Sequence, residues 1–194
     1  MTKKGDYTQL EYARFADDQV VLINWHPSNH WLVEATTRRI GEELEKLQVE
    51  INQQKSKTVD LARGESFTFL GFEFRRIRSR NGKWRPYHTP TQKKRKQHIE
   101  ELQEIFHQYR SQPIVEVIRK INPKLRGFCN YFRIGQATGC FSYIRWSVMK
   151  KVRRHLQRAR CRSGYGWKRW SSAFIYGVLG LYYDYKLKRY ALAV

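Results

Sequence analysis

Two adjacent carboxylates, Asp17 and Asp18, interrupt a pair of apolar runs, Tyr12-Ala13-Arg14-Phe15-Ala16 before them and Val20-Val21-Leu22-Ile23 after them. Hard oxygen donors held side by side suit Mg²⁺, which takes one or two carboxylates and completes its shell with water and substrate phosphate. Phosphoryl transfer is the chemistry such a metal serves. Successive strand side chains point to opposite faces, so one carboxylate at a tight turn reaches an outer pocket more directly than its neighbour, and Asp17 is expected to be that direct ligand. On these residues alone, an Asp-Asp dipeptide between strands is more often a solvated turn than a metal site. No other acid stands at the end of an apolar strand. Asp60, with Arg63 and Gly64 after it, reads as the cap of a loop. Lys55, in a polar stretch, is by default a solvated charge; proton donation to a leaving group would require a phosphate beside it.

The second kind of chemistry is electrostatic. Lys and Arg number 38 against 17 Asp and Glu, a net charge of +21 that self-repels unless a polyanion neutralises it. Nucleic acid is the favoured partner. The longest apolar stretch, Ala173 to Tyr183, falls short of the roughly 20 residues a membrane-spanning helix needs, so no membrane partner is expected. The cations are clustered. Arg75, Arg76, Arg78, Arg80, Lys83 and Arg85 surround Trp84 and form a candidate phosphate-contacting ribbon. Lys93, Lys94, Arg95 and Lys96 open a helix, where their charge opposes the dipole and calls for an anion. Arg126, Asn130 and Arg133 lie on the polar side of another helix, and Lys150, Lys151, Arg153 and Arg154 on a nearly acid-free one. Cys129, Cys140 and Cys161 have neither pairing nor ligand spacing, which argues against structural zinc. With no leader peptide they fit a reducing, cytoplasmic setting, Cys129 and Cys140 as packing residues.

The pattern of elements is α+β. Residues 12–23 read as a β-hairpin with acid at its tip, the second strand β-branched and buried on both faces. A helix capped by Ser28 or Asn29 runs to about Leu47, with Leu32, Thr36, Ile40, Leu44 and Leu47 on the face that packs on the sheet. Glu34/Arg38 and Glu42/Lys46 are its charge pairs. Val49–Ile51 and Thr58–Leu61 read as short strands and Phe67–Ile77 as a longer one, with Leu70, Phe72 and Phe74 on one face. Asn81-Gly82 signals a two-residue turn that pairs Arg76-Ile77-Arg78 with Lys83-Trp84-Arg85. Thr89 and Pro90 start a helix to about Arg110, with Ile99, Leu102, Phe106 and Tyr109 buried. Pro113 and Pro123 bracket a short helix, a second holds Leu125, Phe128, Tyr131 and Phe132, and a long basic one runs from Phe141 to about Arg160. Trp167, Trp170 and Phe174 start a last helical segment, and from Tyr182 onward helix and strand remain open. The division between domains falls at 88/89.

Four segments, in order, resemble one family. Phe15-Ala16-Asp17-Asp18 is similar to the aromatic-X-Asp-Asp signature of reverse transcriptases, with Phe15 where Tyr is common. Asn52-Gln53-Gln54-Lys55-Ser56 resembles the Asn-X-X-Lys-Thr segment of group II intron reverse transcriptases, with Ser56 for Thr. Phe69-Leu70-Gly71-Phe72 resembles their Phe-Leu-Gly-Phe strand, and Ile121 to Arg133 their maturase-specific segment. The resemblance implies the C-terminal part of a group II intron reverse transcriptase and maturase: the end of the palm over 1–88, then an all-α thumb and maturase domain over 89–194. It implies Mg²⁺ on Asp17 and Asp18, Lys55 near the phosphates of the incoming nucleotide, and Phe15, Leu70 and Gly71 beside the primer. Intron RNA and a template-primer duplex are the implied partners, with DNA as a further target and a separate N-terminal reverse transcriptase half as another. The family's fingers and its other metal-binding Asp belong upstream of residue 1, so the chain alone is expected not to polymerise. A non-catalytic RNA-binding splicing factor that keeps the acid hairpin as scaffold, or an unrelated basic nucleic-acid-binding protein, are the alternative readings.

Overall fold

A computed structural model describes residues 10–24, 26 and 30–188, and the chain divides into two units, 1–65 and 66–194. In the first, β1 (Leu10–Phe15) and β2 (Asp18–Ile23) pair antiparallel, from Leu10 opposite Ile23 to Phe15 opposite Asp18. Ala16 and Asp17 make the turn, so the acid-tipped hairpin forms as expected. Ala16 takes φ +49°, a left-handed conformation that costs a residue with a Cβ about 1 kcal/mol. Arg14 Nε donates to the Ala16 carbonyl at 2.9 Å and holds the turn. After the hairpin comes α1 (Trp31–Lys46), whose half-buried face carries Leu32, Thr36, Ile40 and Leu44. Its expected caps, Ser28 and Asn29, lie outside the described residues.

Three expectations for this unit are corrected. Among its described residues none is buried: Val20, Val21 and Ile23 are half-buried and Leu22 is exposed, because a two-stranded hairpin has no second layer to cover both faces. Equally, no residue of α1 is buried. Its ion pairs run from Arg39 to Glu43 (2.8 Å) and Glu42 (3.4 Å), from Lys46 to Glu43 (3.0 Å) and from Arg38 to Glu42 (3.8 Å) in place of the expected two. Arg39 stands within one turn of both Glu42 and Glu43, and a hydrogen bond from Lys46, with the Arg39 charge, lowers the Glu43 pKa. Finally, neither Val49–Ile51 nor Thr58–Leu61 forms a strand. The Asn52 side chain accepts from the Gln54 and Lys55 N–H groups (3.1 and 3.2 Å), a local turn that competes with strand pairing. Asp60 caps a 3₁₀ turn, Leu61–Arg63, by accepting from the Ala62 N–H at 2.8 Å.

The second unit begins with an antiparallel sheet, β3 (Ser66–Phe69), β4 (Phe72–Arg78) and β5 (Trp84–Pro90). The single strand expected over Phe67–Ile77 is two: Leu70 and Gly71, at φ +50° and +77°, form a tight turn whose twist suits a hairpin. Leu70 is therefore a turn residue and does not share the face of Phe72 and Phe74. The next turn also differs from expectation. Gly82 takes φ +75°, its N–H donates to Ser79 O (2.9 Å), and the Ser79 N–H donates to Lys83 O (2.8 Å). The loop is thus Arg80–Gly82, which sets Arg78 opposite Trp84 and Ile77 opposite Arg85.

Three helices follow: α2 (Gln92–Gln108), α3 (Ile114–Phe132) and α4 (Thr138–Arg158). Thr91, and not Thr89, caps α2, accepting from the Lys94 N–H at 3.3 Å. Thr89 and Pro90 are held in β5 by pairing with β4, and the Thr91 N–H donates to Gly71 O at 2.9 Å. The two helices expected around Pro123 are one. An interior proline costs a helix about 3 kcal/mol, yet Val117, Ile121 and Leu125 on either side of it are fully buried, each worth about 1.5–3 kcal/mol. Leu102, Ile144, Val148 and Val152 complete this core. Cys129 and Cys140 are buried within the same unit, and burial pushes their thiols up to about 12 and about 11.

The chain then makes a turn at 167–170 and a π-helical turn, Phe174–Val178, before running without regular structure to residue 188. Asn122 clamps this tail: its Nδ2 donates to Gly180 O (2.8 Å) and its Oδ1 accepts from the Tyr182 N–H (2.9 Å). Phe72 packs edge-on against Phe132 at 4.9 Å, Tyr131 Oη donates to Leu70 O (3.0 Å), and the His88 N–H donates to Gln136 Oε1 (2.9 Å). These contacts join the sheet to the helices, so the expected division at 88/89 falls inside one unit. Among the described residues no helix is long and apolar enough to cross a membrane.

Candidate nucleic-acid interface

In the first unit Asp17 occupies the turn and Asp18 opens β2, both exposed. Phe15, 63% exposed, is the register partner of Asp18, which puts ring and carboxylate on one face of the hairpin. Two neighbouring carboxylates open to solvent fit the one or two protein oxygens that Mg²⁺ takes, with water and phosphate as its remaining ligands. Among the described residues there is no cluster of three or more His, Cys, Asp or Glu that could hold a metal. Lys55 lies in the turn ordered by Asn52 and is exposed. The expected neighbours of the primer, Leu70 and Gly71, belong to the second unit.

The sheet of the second unit carries the ribbon. Arg75, Arg76, Arg78, Arg80, Lys83 and Arg85 are all exposed, and among the described residues none is in an ion pair. Alternation along β4 sends Arg76 and Arg78 to one face and Arg75 to the other. Arg76 lies over the Trp84 ring (5.2 Å) and Arg75 over Tyr87 (4.8 Å), so both sides of the ribbon pair a cation with an aromatic surface. Arg78 also donates to Gly82 O at 3.2 Å, which stiffens the tip.

At the start of α2, Lys93 and Lys94 are exposed, Lys96 stands 3.8 Å from Glu100, and Arg95 sits over the Tyr143 ring at 5.2 Å. Arg126 and Asn130 are exposed on α3, as expected of RNA-contacting groups. Arg133 is not: it is half-buried and pairs with Asp184 at 3.2 Å, tying α3 to the tail.

Helix α4 divides its cations. Arg154 is exposed and Lys150 and Lys151 are half-buried, burial and the nearby Arg154 charge lowering the Lys151 pKa. Arg153 is 3% exposed, and its expected contact with RNA is corrected to a structural role. Its Nε donates to Trp170 O (2.8 Å) and its Nη2 to Ser172 Oγ (3.3 Å), while its guanidinium lies 4.4 Å from the Trp167 ring. The position falls on the seam with the 165–172 segment, which helical periodicity alone does not reveal. Conversely, the aromatics Tyr143, Trp146 and Trp167, 48%, 52% and 50% exposed, escaped the sequence reading as site residues. Their signal was the i, i+3 spacing of Tyr143 and Trp146 away from the apolar stripe of Phe141, Ile144, Val148 and Val152.

A basic helical unit of this kind has a recognisable counterpart. Residues 92–173 match the family model of the group II intron, maturase-specific domain. The match takes in α2, α3 and α4, under half of the chain, and identifies this segment as similar to a group II intron maturase. No curated protein matches the chain. The maturase-like segment contains the α2 entry, Arg126, Asn130 and the cations of α4, whereas the β4–β5 ribbon and the acid hairpin lie before it.

Proposed function

We propose that this chain binds group II intron RNA as a maturase, and that residues 1–88 are the end of a reverse transcriptase palm and 89–194 a thumb and maturase domain. The observation that carries the RNA reading is the set of exposed, unpaired cations on the β4–β5 ribbon, directly before a maturase-like helical segment. Structured RNA is gripped through phosphates, 2′-hydroxyls and shape, for which such a ribbon is suited. The palm reading is supported by the acid hairpin and by the exposure of Tyr12, Phe15 and Leu22 on its two faces. A hairpin with apolar groups on both sides and no buried residue has the character of part of a larger sheet. An N-terminal reverse transcriptase half is the partner that would cover it.

In that assembly Asp17 and Asp18 would hold Mg²⁺, which supplies activation of the primer 3′-hydroxyl and neutralises charge on the nucleotide phosphates. Phe15 would lie against the primer and Lys55 near the leaving pyrophosphate, with DNA as a further target. The shortage of a third carboxylate among the described residues favours a second reading for the chain by itself, an RNA-binding splicing factor without polymerase activity.

Filter binding over a salt series separates the two surfaces. Each phosphate contact contributes about 0.7–0.9 to the slope of log K against log salt, so Arg76→Ala, Arg78→Ala and Arg85→Ala together should lower the slope by about 2–3 and weaken binding. Asp17→Ala should leave affinity unchanged or slightly higher. A salt-independent affinity would sink the RNA reading. Primer extension tests the palm: the 194-residue chain alone should make no product, and a fragment bearing fingers and an upper-palm Asp should restore Mg²⁺-dependent synthesis that Asp17→Asn abolishes. Synthesis by the chain alone that survives Asp17→Asn would contradict the ligand assignment.

A further inference from the structure

Helix α4 presents a second surface that phosphate contacts do not explain. Tyr143, Trp146 and Lys150 recur at i, i+3 and i+7 and so share one face of the helix. The Lys150 ammonium lies 4.8 Å from the Trp146 ring and 4.9 Å from the Tyr165 ring, bridging the helix to the loop that follows it. Tyr165 in turn stands 6.2 Å from Trp167, and Arg95 covers Tyr143 from α2. The Lys150 hydrogen bond also lowers the Tyr165 pKa. The result is a strip of aromatic rings, three of them about half exposed, with a cation at each step, and among the described residues neither Arg95 nor Lys150 is in an ion pair.

The strip is held in place from below. Buried Arg153 supports Trp167 at 4.4 Å while its own hydrogen bonds go to Trp170 and Ser172. The loop is pinned at Gly166, where φ is +60° and an added Cβ would stand 2.7 Å from Gln157 Cδ. Rings that are held in place, about half exposed and alternate with cations offer stacking faces and positive charge together, which suits a flat, negatively charged polymer. Every nucleobase offers a π-face, and each base stacked on a protein ring gains roughly five- to 150-fold in affinity. Duplex RNA hides those faces within its own stack, and its grooves are read through phosphates and 2′-hydroxyls.

We propose that the strip formed by Tyr143, Trp146, Tyr165 and Trp167 binds an unpaired stretch of RNA by base stacking, with Arg95 and Lys150 on its phosphates. The assignment rests on the RNA-binding reading above and adds to it the class of RNA element taken at this face. It also gives Arg153 its use, as a positioning residue that keeps Trp167 in the strip.

The probes are an RNA duplex with an unpaired oligouridine tail and a blunt duplex with the same number of phosphates. The chain should bind the tailed RNA about tenfold or more tightly than the blunt one. Tyr143→Ala with Trp146→Ala, both at exposed positions, should remove that advantage while leaving blunt-duplex affinity and its salt slope unchanged, because stacking releases no counterions. Trp146→Phe should retain most of the advantage. Lys150→Ala should lower the salt slope on the tailed RNA by about 0.7. A chain that binds neither RNA refutes the RNA-binding reading itself. A chain that binds both equally, or a double variant that keeps the tail preference or loses affinity for both RNAs alike, overturns the strip alone.

Discussion

His98 makes the stability of the second unit depend on pH. The imidazole is 6% exposed on the inner side of α2, stacked on Phe128 at 4.2 Å, and its Nε2 has no hydrogen-bond partner. Burial lowers its pKa from 6.5 to about 4; Glu101 opposes the shift and Lys124 adds to it. The folded protein therefore resists protonation at pH values where the unfolded chain accepts it. The resulting stabilisation is fully present above pH 6.5 and is lost as pH falls from there toward 4. At pH 5 the two pKa values give a loss on the order of 2 kcal/mol. For a chain of this size that is a fall of about 4–8 °C in Tm. His98→Phe keeps the stacked ring and removes the titration. Thermal unfolding followed by circular dichroism at pH 7 and pH 5 should show the wild type losing about 2 kcal/mol more than the variant between the two. Equal losses in both proteins would refute the argument, and a larger loss in the variant would reverse its sign.

The two neighbouring arginines of α4 should separate fold from binding. Arg153→Ala removes hydrogen bonds to Trp170 and Ser172 and should cost about 2–4 kcal/mol in urea unfolding, whereas exposed Arg154→Ala should change stability by under about 0.5 kcal/mol and weaken RNA binding instead. Asn122→Ala leaves Gly180 O and the Tyr182 N–H without their partner; a cost of about 1–3 kcal/mol and faster amide exchange over 180–188 are expected. Gly135→Ala would drive a Cβ into His88 from a backbone at φ +91°, and should destabilise the unit more than Gly139→Ala, which meets nothing within 4 Å.

What could be read from the chain itself followed from local rules acting alone. The acid hairpin was legible because an aromatic-bearing run precedes the turn-prone aspartates and a β-branched run follows them, and the stripes of α2 and α4 because their apolar residues recur at helical spacing. The Leu70-Gly71 turn was hidden because leucine at φ +50° goes against its steric preference, and only pairing on both sides imposes it. Pro123 suggested a break that the burial of Val117, Ile121 and Leu125 overrides. Arg153 looked like a surface cation because nothing local shows that residues 165–172 return across α4. The burial expected for β2 and α1 rested on a second layer that the described residues of the first unit do not contain.

The proposed function requires this basic surface to select a group II intron RNA over other polyanions. Competition binding tests it directly: labelled group II intron RNA, held by the chain at physiological salt, is challenged with excess transfer RNA. The intron RNA should stay bound at competitor concentrations about a hundredfold above its own, a margin of some 2.7 kcal/mol. Displacement at equal concentrations would contradict it.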